Sequence, residues 1–185
     1  MAGLEQRWRV VAELPRQPAV DIVIPVHNDE RDLDRTVGRL HAFLEHDFPF
    51  SSRITIADGA STDGTLKIAW RLACGNPAVR LLRLNEVGRG RALAAAWLTS
   101  DARVVAQIDC HVPELSGLLP IVAPIISGHT DVSIARRFGG AIKALRADVA
   151  RRLLPTVGNR DWFFDLELLV RAERAGFRVQ VLPVA

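Results

Sequence analysis

Cysteine is scarce in this chain. Cys74 and Cys110 stand alone, with no CxxC spacing and no further partners. That excludes a disulfide framework and suggests a reduced, cytosolic setting. Lysine is as scarce: of 24 basic side chains only Lys67 and Lys143 are lysine, and the rest are arginine. Arginine alongside abundant alanine reads as compositional bias, and no basic patch is interleaved with aromatics, so nucleic acid is not expected as a partner. No apolar run reaches ~18 residues, which argues against a membrane-spanning helix. Met1 to Val10 carries charges where a signal peptide would have its apolar core. Repeats, linkers and low-complexity stretches are missing as well, so a single domain is expected. What remains is a chain of 185 residues, 49% hydrophobic, with a net charge of +3. Such a chain is globular and long enough to bury roughly 70% of its unfolded surface.

The stretch that organises the rest is Val104 to Glu114. An apolar run ends at Asp109, with His111 two positions on. It reads as a buried strand that delivers polar side chains to one edge of a sheet. Residues i and i+2 of an extended chain point the same way, so Asp109 and His111 are expected to face one ligand together. Two other strands end in the same manner: Asp21 to Val26 runs into His27-Asn28-Asp29, and Arg53 to Asp58 ends on its own carboxylate. Ligands of open α/β sheets sit at such carboxyl ends. Leu33, Val37, Leu40 and Leu44 mark a helix between those two strands. Leu66, Ala69, Trp70 and Ala73 mark the buried face of the next one. Val79 to Asn85 is a third strand, and Gly88-Arg89-Gly90-Arg91 opens an alanine-rich helix through Trp97. Leu115 to Ile126 is helical with interruptions at Pro120 and Pro124, and Asp131 to Ala135 is a further strand. Four βα units in succession predict a mostly parallel central sheet with helices on both faces.

Residues 1–18 read as a leader or short lead-in helix before a domain over 19–185. After Arg137 the pattern is less regular. Phe138 to Leu145 could form a short strand, and Asp148 could cap a helix through Leu154. Trp162 to Ala175 reads as a helix ended by Gly176, and Phe177, Val179 and Val181 alternate in a last strand.

Three stretches could carry chemistry. In Asp58-Gly59-Ala60-Ser61-Thr62-Asp63-Gly64-Thr65, small residues allow backbone approach, and a strand-end carboxylate can accept a base N–H or ribose hydroxyl. An ordinary turn with Ser61 or Asp63 capping the next helix fits equally well. Gly88-Arg89-Gly90-Arg91 could set guanidinium and backbone N–H groups against a diphosphate. It is no dinucleotide fingerprint, because Leu93 stands where the third glycine belongs, which excludes a Rossmann dehydrogenase. A sugar-nucleotide pyrophosphorylase would need a glycine-rich loop after the first strand, and Val26-His27-Asn28-Asp29-Glu30 is not one. Asp165 and Glu167 could act as bases or face an acceptor, or could simply be solvated helix charges.

Taken together, these stretches resemble glycosyltransferase family 2, with bacterial polyprenyl-phosphate and dolichyl-phosphate sugar synthases as the nearest look-alikes. Asp21 to Asp29 is similar to the family's first strand, V-I-P-V-Y-N-E. Ile56 to Thr65 is similar to I-A-D-N-A-S-T-D-G-T, and Gly88 to Leu93 to G-R-G-R-A-L. Ala141 to Asp148 and Trp162 to Leu169 are similar to later family segments. The resemblance implies a GT-A (Rossmann-like) fold, a GDP- or UDP-sugar donor, a divalent metal (Mn2+ or Mg2+) and inversion at the anomeric carbon. It also implies a polyprenyl-phosphate or other acceptor at the inner face of the cell membrane. By the same resemblance, Pro25, Asn28 and Asp29 line the nucleoside pocket and Asp58 takes the base, with Asp63 in the same turn. Arg89 and Arg91 lie near the phosphates. Asp109, with His111 as a second ligand, holds the metal, and Asp109, Asp165 and Glu167 are the catalytic candidates. Three departures stand out. Asp109-Cys110-His111 replaces D-x-D, and a nitrogen ligand suits manganese better than magnesium. His27 and Gly59 replace the usual Tyr and Asn. Arg136-Arg137-Phe138 runs almost directly into Gly139-Gly140-Ala141, where relatives carry a long basic segment near the acceptor. A nucleotide-binding relative with weak or no turnover is therefore the alternative expectation.

Overall fold

Every residue of Val20–Val26 is buried, and all but the first of Ser52–Gly59, as strands covered on both faces require. The computed structural model describes residues 8–10, 17–136, 142–159 and 163–183. Its strands are β1 (Trp8–Val10), β2 (Val20–Val26), β3 (Ser52–Gly59), β4 (Val79–Leu84), β5 (Val104–Gln107), β6 (Val132–Arg136), β7 (Lys143–Arg146) and β8 (Val179–Pro183). Its helices are α1 (Leu33–His46), α2 (Thr65–Gly75), α3 (Arg89–Thr99), α4 (Leu118–Ile126), α5 (Ala147–Leu153) and α6 (Phe164–Arg174). The strands form one sheet in the order β1-β4-β3-β2-β5-β7-β6-β8. β2 pairs in parallel with β3 and β5, β3 with β4, and β6 with β8. β7 runs antiparallel between β5 and β6, and β1 runs antiparallel along β4.

Helices cover both faces, as expected. Leu33, Val37 and Leu40 of α1, Ala69 and Ala73 of α2 and Leu118, Ile121, Val122 and Ile125 of α4 pack on one face. Ala92 to Trp97 of α3, Val149, Ala150 and Leu153 of α5 and Phe164, Leu168 and Ala172 of α6 pack on the other. The chain proceeds from β2 outward through β3 and β4, then returns to lay β5 on the opposite flank of β2. That reversal is a topological switch point, the place at the carboxyl edge where open α/β sheets bind their ligands. Pro25 marks that place. Ala19 and Val23 send their carbonyls to β5, accepting from Val104 N and Ile108 N at 3.0 and 3.1 Å. Pro25 is in phase with them, so the side where its N–H would point faces β5 just beyond that strand's end.

Several local expectations are corrected. Residues 8–10 form an edge strand rather than a lead-in helix. Trp70 is 52% exposed, because the buried line of α2 runs through Thr65, Ala69 and Ala73, one step of the helix away. Pro120 and Pro124 do not interrupt α4. Pro120 sits in its first turn, where an N–H has no intrahelical partner. Asp148 does not cap α5; its carboxylate takes the Arg146 guanidinium at 3.0 and 2.6 Å. The helix expected over Trp162 to Ala175 is α6, and Gly176 at φ +76° ends it as its lack of a Cβ allows. Residues 138–141 and 160–162 lie outside the described residues.

Candidate functional site

Two loops interlock at the carboxyl edge. Asn28 holds φ +59°, a conformation asparagine tolerates better than most side chains. From there its Oδ1 accepts Thr62 N at 2.8 Å and Asp63 N at 3.4 Å, while its own N–H donates to Ser61 Oγ at 3.0 Å. Asp29 N donates to Thr65 Oγ1 at 2.7 Å, and Asp29 Oδ2 accepts His27 N at 2.8 Å. Asp63 Oδ2 accepts Glu30 N at 3.3 Å and Oδ1 accepts Thr65 N at 2.9 Å. Burial raises Asp63 somewhat, but these bonds outweigh it and bring its pKa below the usual carboxylate range. Asn28, Asp29 and Asp63 thus build the rim that ties β2 to β3.

Inside this rim lies Asp58, fully buried at the end of β3. Its Oδ1 accepts Ser61 N at 3.2 Å, and its Oδ2 has no hydrogen-bond partner among the described residues. A buried carboxylate oxygen without a donor costs stability. Such a deficit at a strand end is what a ligand N–H would satisfy.

A line of alternating charges begins on the other flank of β2. Arg89, the first residue of α3, sends Nη2 to Asp109 Oδ1 at 2.5 Å and Nη1 to Asp165 Oδ2 at 3.1 Å. Asp165 Oδ1 is ion-paired with Lys143 Nζ. Gln107 Nε2 adds a bond to Asp109 Oδ1 at 3.0 Å. The line joins β5, α3, α6 and β7, and Trp97 against Phe164 packs α3 to α6 beneath it, ring centroids 6.1 Å apart. Burial works against the charge of Arg89, but Asp109 and Asp165 outweigh it and its pKa is raised. Burial pushes Lys143 down, and Asp165 offsets only part of that. Burial likewise pushes Asp165 up, yet Lys143 and Arg89 bring it below the ordinary carboxylate range.

Three expected pairs do not come together, for one reason. Asp109 and His111 would share a face only on an extended chain, and the strand ends at Gln107. Val112 N closes a turn onto Asp109 O at 3.1 Å. His111 therefore leaves Asp109 and stands between Asp29 Oδ1 and Asp32 Oδ2, 3.3 Å from each. Arg89 and Arg91 lie on a helix, where positions two apart diverge; Arg91 pairs with Glu86 instead. Asp165 and Glu167 diverge in the same way. Glu167 accepts Gly158 N at 3.1 Å and Asn159 N at 2.8 Å and pairs with Arg171 at 2.6 Å. The two backbone N–H groups, then Arg171, hold its pKa down to about 2. It closes a loop rather than facing the crevice.

The consequence for a metal is specific. Among the described residues no three His, Cys, Asp or Glu side chains are grouped to hold one. At Asp109, Arg89 and Gln107 both use Oδ1 and no described residue hydrogen-bonds Oδ2, which leaves that oxygen open to a divalent ion. A magnesium-like ion asks for no more than one or two carboxylates when substrate phosphates complete its shell. Cys110, between Asp109 and His111, is buried, and burial, then Asp29, push its thiol up to about 12.

Lys143 and Gln107 belong to the site and were not among the residues singled out from sequence. The available signals were Lys143 as one of two lysines in an arginine chain and Gln107 as the polar residue in an apolar strand.

Comparison with known proteins gives the following. The family description "Glycosyl transferase family 2" matches residues 21–182. Glycosyltransferase AglD of Haloferax volcanii is 26% identical over 202 residues, covering 89% of this chain and 32% of its own length. Polyprenol monophosphomannose synthase of Mycolicibacterium smegmatis is 26% identical over 208 residues, covering 88% of this chain and 75% of its own. This chain thus spans only about a third of the Haloferax relative. Both alignments run longer than the stretch of this chain they cover, so the relatives hold several tens of residues that it lacks. A mannosyltransferase from Pyrobaculum calidifontis, solved in complex with GDP-mannose and Mn2+, superposes with a TM-score of 0.69 at 20% identity. That match covers 97% of this chain and 59% of the other, and it establishes the shared fold.

Proposed function

This chain belongs to glycosyl transferase family 2, and from that premise we propose that it binds a nucleoside-diphosphate sugar at the ends of β2, β3 and β5. We further propose that it passes the sugar, with inversion, to a phosphate acceptor of the polyprenyl-phosphate kind. The observation that carries the donor reading is the unpartnered Asp58 Oδ2. A base N–H supplies the missing donor, and the rim built by Asn28, Asp29 and Asp63 shapes the pocket around it. The Mycolicibacterium relative is named for polyprenol, and the structural neighbour for GDP-mannose and Mn2+, which fits this assignment.

In the reaction an acceptor phosphate oxygen forms a bond to the anomeric carbon from the face opposite the donor phosphate. The bond from that carbon to the diphosphate breaks, and the nucleoside diphosphate leaves with the electron pair. Arg89 is placed to offset the charge that develops on the departing oxygen. A divalent ion, Mn2+ or Mg2+, would be held by Asp109 together with the donor's own phosphate oxygens, and would add charge compensation there. Neither Asp165 nor Glu167 is poised as a base. Asp165 is locked between Arg89 and Lys143, Glu167 is spent on its loop, and both lie below the ordinary carboxylate range. The attacking group must therefore arrive ionised, which a phosphate monoester does at neutral pH and an alcohol does not. Such a lipid acceptor is met at the inner membrane face; no helix among the described residues is long and apolar enough to cross a membrane.

A second reading, a nucleotide-sugar-binding relative with weak or no transfer, is favoured by one observation. β6 and β7 are antiparallel neighbours, with Ala135 N donating to Ile142 O at 2.9 Å, so the connection between them is short. It leaves no room for the basic segment expected beside an acceptor. One assay separates the readings: radiolabelled GDP-mannose or UDP-glucose is incubated with vesicles carrying polyprenyl phosphate or the unphosphorylated polyprenol. Label in the lipid phase with the phosphate alone supports transfer to an anionic acceptor. Equal labelling of polyprenol contradicts it, and nucleotide binding without labelling supports the second reading.

A further inference from the structure

Lys143 is 4% exposed, so its ammonium is held away from solvent. A buried ammonium is costly unless paired. Its partner is Asp165 Oδ1, and Asp165 is in turn the partner of Arg89 Nη1. Arg89 is a two-armed fork whose second arm lies on Asp109. A diphosphate arriving at Asp109 is repelled by that carboxylate and attracted by the guanidinium, so it competes for the arm that faces Asp109. The other arm stays in place only while Asp165 stays in place. Two strand positions fix this geometry: Gln107 of β5 is the register partner of Lys143 of β7, and Gln107 also bonds Asp109. Both ends of the charged line therefore spring from one rung of the sheet.

We propose that Lys143 is a positioning residue for the donor diphosphate, holding Asp165 so that Arg89 keeps one arm fixed while its other arm passes from Asp109 to a phosphate oxygen. This rests on the donor reading above and adds to it a residue that touches no ligand. A residue with only a packing role would act differently: its loss would weaken nucleoside and nucleoside diphosphate alike. Loss of a positioning residue removes only what the diphosphate adds.

The test is calorimetry of uridine, UDP, guanosine and GDP with the full chain and with Lys143→Met, Arg89→Ala, the double variant and Asp165→Asn. Thermal unfolding of each variant reports the fold. The expected result is a preference for diphosphate over nucleoside that falls roughly tenfold or more in Lys143→Met, the size of one charged hydrogen bond, with nucleoside affinity unchanged. Asp165→Asn should show the same selective loss, and Lys143→Met should add nothing in the Arg89→Ala background. An unchanged preference in folded Lys143→Met and Asp165→Asn overturns the proposal and leaves the donor reading standing. Equal losses for nucleoside and diphosphate overturn it too. If the unmodified chain binds neither UDP nor GDP, the donor reading fails and the proposal with it.

Discussion

Asp21 and Asp58 are both fully buried, on neighbouring strands, at opposite edges of one sheet. Asp21 opens β2 at the amino edge. Its Oδ2 accepts Arg53 Nε at 3.2 Å, Arg53 Nη2 at 2.6 Å and Ser100 Oγ at 2.7 Å, and its Oδ1 accepts Thr55 Oγ1 at 2.6 Å. Asp58 lies near the end of β3 at the carboxyl edge, with one backbone donor on one oxygen and none on the other. Residue type and burial are the same, and the local balance of donors is opposite. A buried carboxylate whose donors are complete holds the fold together. One left short of donors, at a strand end beside a crevice, points to a ligand. The buried charge alone does not distinguish the two; the count of donors does.

The comparison can be broken from either side, and the largest effect is expected at the amino edge. Asp21→Ala leaves the Arg53 guanidinium buried with the half-exposed Asp101 at 2.7 Å as its remaining charged partner and Ser100 Oγ at 3.3 Å among the described residues. It should destabilise the chain by ~3–5 kcal/mol in urea unfolding. A loss below about 1 kcal/mol would show that the amino-edge network is dispensable. At the carboxyl edge, Arg89→Ala should weaken UDP or GDP binding by ~1.5–3 kcal/mol, as loss of a charged hydrogen bond does. Arg91→Ala, which breaks only a surface pair with Glu86, should change it by less than about 1 kcal/mol. Calorimetry on the two variants side by side checks the divergence of the two arginines along α3; equal losses would return Arg91 to the phosphate site.

The smallest effect concerns pH and a third aspartate. Asp131 is held by side-chain bonds from Arg178, and beyond these by the Arg178 backbone N–H and by Arg146, so its pKa lies well below the usual carboxylate range. A depressed folded-state pKa gives stability that is complete above the unfolded value near pH 4 and is lost as pH falls through the folded one. Asp131→Asn should therefore lower the unfolding temperature at pH 7, and the gap to the unmodified chain should narrow as pH drops below about 4. A gap that stays constant with pH would mean that the charge of Asp131 contributes nothing.

The layout of the sheet was readable from the chain because each βα unit carries its own apolar run and helical spacing. The meeting of Asn28, Asp58 and Asp109 at one edge follows from that layout. What could not be read was direction. Asp109 with His111, Arg89 with Arg91, and Asp165 with Glu167 are all spaced by two, which aligns side chains on a strand and separates them on a helix or turn. One residue of each pair reaches the charged line and the other does not. Lys143 escaped notice because its role depends on β7 lying antiparallel beside β5, a pairing that no local pattern announces. Of the two readings of the turn after β3, the structure bears out the helix-capping one at Asp63, which accepts the first N–H of α2.

The most direct test of the account is a paired measurement on Asp58→Ala: calorimetric affinity for UDP and GDP, and unfolding free energy in urea. The account predicts nucleotide affinity lower by ~1.5–3 kcal/mol with stability changed by less than about 1 kcal/mol, because the removed carboxylate has a single backbone donor on Oδ1 and none among the described residues on Oδ2. Stability lost by several kcal/mol with nucleotide affinity intact would contradict it, and would make Asp58 a second Asp21.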